Sequence, residues 1–322
     1  MKILIADDDP VSRRLLEKTL LQAGYDVLAV PNGMAAAEQL CKQDGPRLAL
    51  LDWEMPELDG PAVCREVRKK KDQGYVYMIL LTSKGLKTDI VTGLGSGADD
   101  YLTKPFDSGE LKARLRTGQR ILHLEGRLVE ARENMRFKAT HDALTSLLNR
   151  GVIMELLGRE ISRSRRERIP TAILLCDVDH FKSINDTHGH LIGDEVLQEA
   201  ARRLLLSVRS YDYVGRYGGE EFLIILNNCD PVSAPRRAEE IRRSLSDTPV
   251  HTSIGPLLVT MSMGVHQTAN WGVQSVEELL HQVDGAMYAA KTAGRNRISF
   301  TKLEIPSDAN HVVPTETERS LR

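Results

Sequence analysis

The N-terminal third of the chain alternates short apolar runs with segments of helical length, and this alternation limits the fold more than any other feature. The apolar runs lie at residues 3–6, 27–30, 48–51, 77–81 and 101–102. Strands that are apolar throughout are buried on both faces, as in a parallel sheet covered by helices. The pattern therefore predicts a doubly wound α/β domain over residues 1–107, with its functional crevice at the carboxyl ends of the strands.

Residues 108–140 have a different pattern, that of one long, highly charged helix without proline. Apolar or small residues recur at steps of three and four, in two offset stripes: Leu111, Leu115, Gly118 and Leu122, then Ile121, Leu124, Leu128, Ala131 and Met135. This spacing predicts a two-stranded coiled coil with a phase shift near residue 120. The alternative is a solvated linker helix that packs on its own domain.

Residues 141–301 mix helices and strands in an order that indicates a second domain of α+β type. The predicted order is helix 150–166, strand 171–178, helices across 181–209, hairpin 212–226, helix 232–245, strand 257–265, helix 276–293 and strand 298–300. The hairpin requires antiparallel pairing, which a doubly wound sheet does not use. The composition of residues 302–322, rich in Pro, Ser, Thr, Glu and Asn, predicts a disordered tail.

Composition excludes several classes of function. A net charge of −2 over 322 residues gives no overall basic bias, so nucleic acid is not suggested as a partner, and no apolar run approaches the ~20 residues of a membrane span. The first residues run into acidic ones, which is wrong for a signal peptide. The four cysteines are far apart in sequence and form no CxxC pair, which favours reduced thiols in a cytoplasmic protein.

Acidic and polar residues follow the predicted strands of the first domain. Asp7 and Asp8 come after the first strand, Asp52 ends the third, and Thr82 and Lys104 end the fourth and fifth. A single acidic loop is more often a solvated turn, but these positions converge in one crevice. Clustered carboxylates repel one another unless they hold a cation, and oxygen ligands favour Mg²⁺. A metal and a lysine beside a carboxylate suit the transfer of a phosphoryl group to that carboxylate.

With these residues the N-terminal region resembles the receiver domain of two-component response regulators, a flavodoxin-like (βα)5 fold. The matching stretches are residues 3–9, 51–60, 81–83 and 101–106. The resemblance implies that Asp52 accepts a phosphoryl group from a cognate histidine kinase and that Asp7, Asp8 and Asp52 bind Mg²⁺. The other roles that it implies are phosphoryl contacts from Thr82 and Lys104, an activation switch at Tyr101 and a cis peptide between Lys104 and Pro105.

The second domain contains a glycine turn inside the predicted hairpin. Residues 216–222 read Arg-Tyr-Gly-Gly-Glu-Glu-Phe, and the two glycines are expected to supply the positive φ angles of a tight turn. Asp177 ends a buried apolar strand. The alternative role for a carboxylate at this position is to cap a helix. If the hairpin pairs beside that strand, Asp177 and Glu221 can share a cation. Lys291 and Arg295, four apart on a predicted helix, would hold phosphates from one face.

These motifs are similar to those of the GGDEF family of diguanylate cyclases, whose fold is nucleotidyl cyclase-like, across residues 139–300. Further matching stretches are residues 142–145, 149–150, 177–182, 184–186, 189–190 and 193–197. The resemblance implies metal binding by Asp177, Glu221 and the main chain of Val178, and help from Glu220 in activating the 3′-hydroxyl. The implied substrate contacts are guanine recognition by Asn185 and Asp194 and nucleotide contacts from Lys182, Gly219, Lys291 and Arg295.

A last motif, the pair Arg209 and Asp212, precedes the glycine turn. Such pairs are usually structural. At this distance from the turn it resembles the inhibitory RxxD site of the family, which implies binding of the cyclic product. The second arginine of that site cannot be assigned from the sequence.

The combined expectation is a phosphorylation-regulated enzyme that condenses two GTP into cyclic di-GMP and two pyrophosphates, with Mg²⁺ at the receiver and two metals at the GTP site. Because one site binds one GTP, a homodimer with opposed sites is expected. The alternatives are a catalytically silent module that senses GTP or cyclic di-GMP, and a cyclase that makes another dinucleotide. A DNA-binding regulator would need a basic recognition helix, which is not evident.

Overall fold

A computed structural model describes residues 1–70, 74–83, 93–268 and 275–301, so the tail predicted at 302–322 lies outside the described residues. The chain divides into two compact units, Met1–Asn134 and Met135–Arg322. The division falls inside a continuous helix, and the domain limits at residues 107 and 140 stay predictions. Among the described residues, none of the helices combines the length and the apolar character that crossing a membrane requires.

The first unit contains a five-stranded parallel sheet in the order β2-β1-β3-β4-β5, which confirms the predicted α/β class. Its strands are β1 Lys2–Ala6, β2 Asp26–Val30, β3 Leu48–Asp52, β4 Tyr77–Thr82 and β5 Asp100–Thr103. Its helices are α1 Pro10–Gln22, α2 Gly33–Leu40, α3 Gly60–Lys69 and the start of α4 Ser108–Thr140.

Alternate residues of each central strand enter different cores, which explains why these strands are apolar at every position. Leu4 and Ala49 pack in one core, whereas Ile3 and Leu48 pack in the core on the opposite face of the sheet. Successive side chains of a strand point to opposite faces, and burying each large one stabilises the fold by about 1.5–3 kcal/mol.

Helix α4 is 33 residues long, a span of about 50 Å. Leu111, Leu115 and Gly118 are buried, and the first two of these side chains lie in a core of the first unit. Further along, Leu124 and Leu128 are exposed. The two predicted stripes therefore differ in environment: the first packs in its own unit, and the second presents apolar side chains to solvent.

The second unit contains a five-stranded mixed sheet in the order β12-β11-β6-β8-β7, as expected for an α+β domain. Its strands are β6 Ala172–Val178, β7 Tyr213–Gly218, β8 Glu221–Leu226, β11 Met261–Gln267 and β12 Ile298–Phe300, and a separate hairpin pairs β9 Val250–Thr252 with β10 Gly255–Leu257. Its helices are α5 Arg150–Glu167, α6 Phe181–His188, α7 His190–Ser207, α8 Ser233–Ser246 and α9 Val276–Thr292.

The prediction of one continuous strand over residues 257–265 is wrong. The structure divides this segment between β10 and β11, and Leu258 between them is exposed. The two parts pair with different strands, since Leu257 pairs with Val250 of β9 and Met261 pairs with Val178 of β6. At the end of the second ladder the Thr260 carbonyl accepts from the backbone N–H of Asp179, and its hydroxyl donates to the Asp179 carboxylate. A continuous apolar pattern does not reveal such a change of partner strand.

Candidate functional sites

The acidic residues of the first unit converge as the strand order requires. One carboxylate oxygen from each of Asp7, Asp8 and Asp52 lies within 4.8 Å of the others. Lys104 Nζ lies 2.8 Å from Asp52 Oδ2 and 3.0 Å from Asp7 Oδ2. Three carboxylates against one ammonium leave an excess of negative charge, and the all-oxygen donor set fits a divalent cation such as Mg²⁺.

Burial and charge act in opposite directions on this cluster. The pKa of Asp52 is raised, chiefly by burial and also by the charge of Asp7, although the hydrogen bond from Lys104 opposes the rise. Burial would lower the pKa of Lys104, but its bonds to Asp52 and Asp7 raise it. Lys104 therefore compensates the negative charge of Asp52 only in part. Such a carboxylate suits reaction with a phosphoryl donor in the presence of a cation.

The remaining predicted receiver residues lie around this cluster. Thr82, at the end of β4, is buried, and Tyr101, half-buried in β5, packs against a core. The peptide between Lys104 and Pro105 is cis, as predicted. The pairing of β4 with β5 places Thr82 opposite Thr103, next to Lys104, at the carboxyl ends of the two strands, whereas Tyr101 lies near the start of β5 opposite Leu80.

In the second unit the β7–β8 hairpin pairs with β6, as the predicted cation site shared by Asp177 and Glu221 requires. Asp177 and Glu221 are register partners in the antiparallel pair of β6 and β8. Residues directly opposite in adjacent strands project on the same face. Lys291 Nζ lies 2.7 Å from Asp177 Oδ2, so the ammonium partly neutralises this acidic pair.

The pKa values of both carboxyls are raised. For Asp177 burial is the largest cause, and the charges of Glu220 and Asp179 add to it against the bond from Lys291. For Glu221 burial is again the largest cause, followed by the charge of Asp177. A buried carboxylate opposite a partly buried one, both with raised pKa values, fits a site for a divalent cation. Within the described residues, Glu220 does not complete a three-acid cluster with them like that of the first unit.

The turn between β7 and β8 differs from the expectation at one glycine. Gly219 has a φ of 42°, whereas Gly218 lies in β7 opposite Glu221 and does not have a positive φ. Arg216 holds the turn, since its Nε and Nη2 donate to the Gly219 carbonyl at 2.9 and 2.8 Å. Its Nη1 donates to Asp142 Oδ1 at 3.0 Å. Asp142, the first residue of the matching stretch 142–145, therefore supports the turn through Arg216.

The predicted base-recognition residues lie on two consecutive helices. Asn185 is in α6 and Asp194 is exposed in α7. The Asn185 Oδ1 atom is buried and has no hydrogen-bond partner among the described residues. A Cβ at Gly193 would lie 2.0 Å from that oxygen, so any other residue at position 193 would displace the Asn185 amide. An unsatisfied amide oxygen beside an exposed carboxylate is suited to a ligand that carries N–H donors.

The predicted phosphate pair requires a correction. Lys291 lies in the last turn of α9, but the helix ends at Thr292 and Arg295 is in the following loop with a φ of 60°. The statement that both residues project from one helix is therefore wrong. Gly294, with a φ of 115°, ends the helix, and the Arg295 N–H returns to the Ala290 carbonyl at 3.1 Å. Arg295 and Lys182 are both exposed.

The RxxD pair is held inside the second unit. Asp212 is nine-tenths buried, and its oxygens accept from the Arg209 N–H at 2.9 Å and the Asn227 N–H at 3.0 Å. Arg237 of α8 reaches Asp212 Oδ2 at 3.4 Å. Arg237 was not found from the sequence, because it is 25 residues from Asp212 in a helix with several arginines. The Arg209 side chain is turned outward and donates to the Tyr211 hydroxyl at 2.6 Å.

Two family profiles match the two parts of the chain. The receiver domain of response regulators matches residues 3–116, and the profile described as the GGDEF domain of diguanylate cyclases matches residues 139–297. The chain is 32% identical over 299 residues to the response regulator PleD of Caulobacter vibrioides, which covers 92% of this chain and 65% of PleD. It is 38% identical over 173 residues to the diguanylate cyclase DosC of Escherichia coli, over 54% of this chain and 37% of DosC.

A solved structure matches the C-terminal part. The coiled coil and GGDEF domain of DgcB from Caulobacter crescentus, in complex with c-di-GMP, aligns with a TM-score of 0.51 and 30% identity, over 59% of this chain and 98% of that one. The chain spans less than two thirds of the length of PleD and DosC. From its two matched domains and their order, the chain belongs to the response regulators in which a receiver domain is followed by a GGDEF domain.

Proposed function

We propose that the protein is a diguanylate cyclase that condenses two GTP into cyclic di-GMP and two pyrophosphates. The observation that carries the proposal is the register pairing of Asp177 with Glu221 beside the Gly219 turn, with Lys291 2.7 Å from Asp177. This arrangement combines a buried and a partly buried carboxylate, an open glycine turn and a cation, which together suit a triphosphate and its metal ions.

The site residues divide the chemistry among them. Asp177, Glu221 and the Val178 carbonyl would hold Mg²⁺, which when bound neutralises phosphate charge and lowers the pKa of the attacking hydroxyl. Glu220 takes the proton of the 3′-hydroxyl as its oxygen attacks the α-phosphate of the other GTP. The new P–O bond replaces the bond to pyrophosphate, which leaves.

The other predicted contacts orient the nucleotide. Asn185 and Asp194 bind the guanine edge, a role supported by the unsatisfied Asn185 oxygen. The phosphates are held by Lys182, Lys291 and Arg295, and the missing side chain of Gly219 lets the nucleotide approach the backbone. This placement prefers guanine over adenine, because a carboxylate accepts from the N1–H and N2 amino groups that guanine alone presents.

A direct assay tests the activity. Purified protein with GTP and Mg²⁺ is expected to release pyrophosphate and cyclic di-GMP, identified by mass spectrometry, and ATP is expected to yield no cyclic dinucleotide. Glu221→Gln keeps the side-chain shape, removes the charge and is expected to lower the rate at least ~100-fold. Tight GTP binding without product would favour a silent sensor, and a product from ATP would favour another dinucleotide cyclase.

We further propose that the enzyme acts as a homodimer controlled by phosphorylation. Each active site holds one GTP, so two-fold opposed sites are needed to form the symmetric product. Leu124 and Leu128, exposed on α4, support pairing of the linker helices. A histidine kinase would phosphorylate Asp52, and the added charge would act on Lys104, Thr82 and the surface near Tyr101.

Asp52→Asn tests this regulation. In the presence of a small-molecule phosphodonor, the wild type is expected to gain cyclase activity and Asp52→Asn to remain at the basal rate. An equal response of both proteins would disprove control through Asp52. A basal rate in Asp52→Asn equal to that of untreated wild type shows that the GTP site itself is intact.

Product inhibition is proposed at Arg209, Asp212 and Arg237. Asp212 is occupied by bonds within the domain, so its role there is to order the loop, and the two arginines supply the charge for an anionic ligand. Arg209→Ala is expected to raise the cyclic di-GMP concentration needed for half-inhibition about tenfold or more. An unchanged inhibition curve would exclude Arg209 from the inhibitory site.

A further inference from the structure

Asp179 has a buried carboxylate that the proposed mechanism does not use. It lies two residues after Asp177 and is 4% exposed. Oδ1 accepts from the Ser262 hydroxyl at 2.6 Å, and Oδ2 accepts from the Thr260 hydroxyl at 2.7 Å and from the backbone N–H of Asn296 at 3.0 Å. These donors are uncharged, and a buried carboxylate is costly unless hydrogen bonds satisfy it.

The bond to Asn296 acts on a strained loop. Gly294, Arg295 and Asn296 have consecutive φ angles of 115°, 60° and 46°. A left-handed conformation is unfavourable for most residues other than glycine, and it persists only where the surroundings hold it. The Arg295 N–H bonds to Ala290, and the next N–H bonds to Asp179. The loop is therefore fixed on one side by its own helix and on the other by the end of β6.

We propose that Asp179 is a positioning residue, which sets Arg295 at a defined distance from Asp177 by holding the loop after α9. This proposal rests on the proposed function, in which Arg295 binds the terminal phosphates and Asp177 binds metal. Asp177 lies in β6, and Asp179, directly after β6, holds the loop that contains Arg295. The end of one strand would therefore locate both the proposed metal ligand and the proposed phosphate ligand. A displacement of about 1 Å at such a site is enough to cost activity about 100-fold.

Measurements of nucleotide binding distinguish a positioning role of Asp179 from a general effect of its substitution on protein stability. Affinities for a non-hydrolysable GTP analogue and for GMP are measured by calorimetry with Mg²⁺. Asp179→Ala is expected to weaken the analogue about tenfold or more, as lost charged hydrogen bonds do, while GMP affinity changes less than about twofold. Asp179→Asn keeps an acceptor for Asn296 and is expected to recover most of the affinity. Ser262→Ala, which leaves the Asn296 bond in place, is the matched control.

A double mutant decides whether the effect acts through Arg295. Arg295→Ala alone is expected to weaken the analogue, and adding Asp179→Ala to it is expected to cause little further loss. Additive losses, an equal loss of GMP and analogue affinity, or no effect of Arg295→Ala would each overturn the proposal. If Asp179→Ala does not fold, Asp179→Leu, which keeps the side-chain volume and removes the acceptor for Asn296, enters the same cycle. Failure of the wild type to make cyclic di-GMP would count against the proposed function, but the binding comparison would still test Asp179.

Discussion

Gly60 illustrates how one residue shapes the surroundings of Asp52. A Cβ at position 60 would lie 2.4 Å from the Asp52 carbonyl oxygen and 2.7 Å from a Leu80 methyl group. The oxygen belongs to a strand backbone, which yields less easily than a flexible side chain. The start of α3, capped by Asp59, therefore packs directly on the strand end that carries the proposed phosphate acceptor.

Gly60→Ala is expected to destabilise the first unit by about 1–3 kcal/mol, the usual cost of overpacking a closed site. Thermal unfolding of the full chain, followed with and without Mg²⁺, measures the effect. Gly126→Ala is the control, since no atom lies within 4 Å of its added Cβ, and a helical alanine is expected to stabilise slightly. A Gly60→Ala transition as high as that of Gly126→Ala would contradict the packing argument.

At the scale of elements, the second unit joins helices α7 and α8 through one arginine. Arg203 is nine-tenths buried and donates to the carbonyl oxygen of Leu245 in the last turn of α8 and to those of Thr248 and Pro249 after it. Glu199, one turn earlier, accepts from Arg203 and Arg202. The hydrogen bond from Arg202 is the largest cause that lowers the pKa of Glu199 to about 2; burial opposes it, and the hydrogen bond from Arg203 and the charges of both arginines lower the pKa further.

This lowered pKa predicts a pH dependence of stability. The folded pKa of about 2 is below the ordinary value of 4.5, so the stabilisation is present above about pH 4.5 and is lost as the pH falls towards 2. Glu199→Gln is expected to lower the urea midpoint at pH 6 and to differ less from the wild type near pH 3. A gap between the two proteins that is unchanged from pH 6 to pH 3 would rule out the ion pairs as its cause.

At the scale of the whole molecule, α4 carries two kinds of apolar side chain. Leu111 and Leu115 are buried in a receiver core, while Leu128 is 70% exposed. Exposed leucines at heptad spacing are costly in water unless a second helix covers them. The proposed homodimer would bury these side chains, and it would also bring together the two GTP sites that the product requires.

Leu128→Asp is expected to weaken self-association about tenfold or more and to lower the cyclase rate at low protein concentration. Light scattering and the pyrophosphate assay, each over a range of concentrations, measure the two effects. Arg127→Asp introduces the same carboxylate at the neighbouring position, outside the apolar stripe. Equal losses in both variants would contradict a coiled coil through Leu128.

Local sequence patterns predicted most of the elements, because the periodicity of apolar residues is itself local. The five parallel strands, the hairpin beside β6 and the cluster of Asp7, Asp8 and Asp52 all have the predicted arrangement. Predictions went wrong where a segment changes its partner strand or a helix ends early. Leu257 and Met261 pair with different strands, and Arg295 leaves the predicted helix face because Gly294 ends the helix.

The sequence by itself determined the two fold classes, their order and the residue types of both acidic sites, since strand ends and glycine turns can be recognised from neighbouring residues. Only the tertiary structure decided which side chains meet across the sheet or between helices. Contacts of Arg237 with Asp212, and of Asp179 with Asn296, join residues 25 and 117 positions apart. Such pairs leave no periodic pattern, because they depend on how whole elements pack.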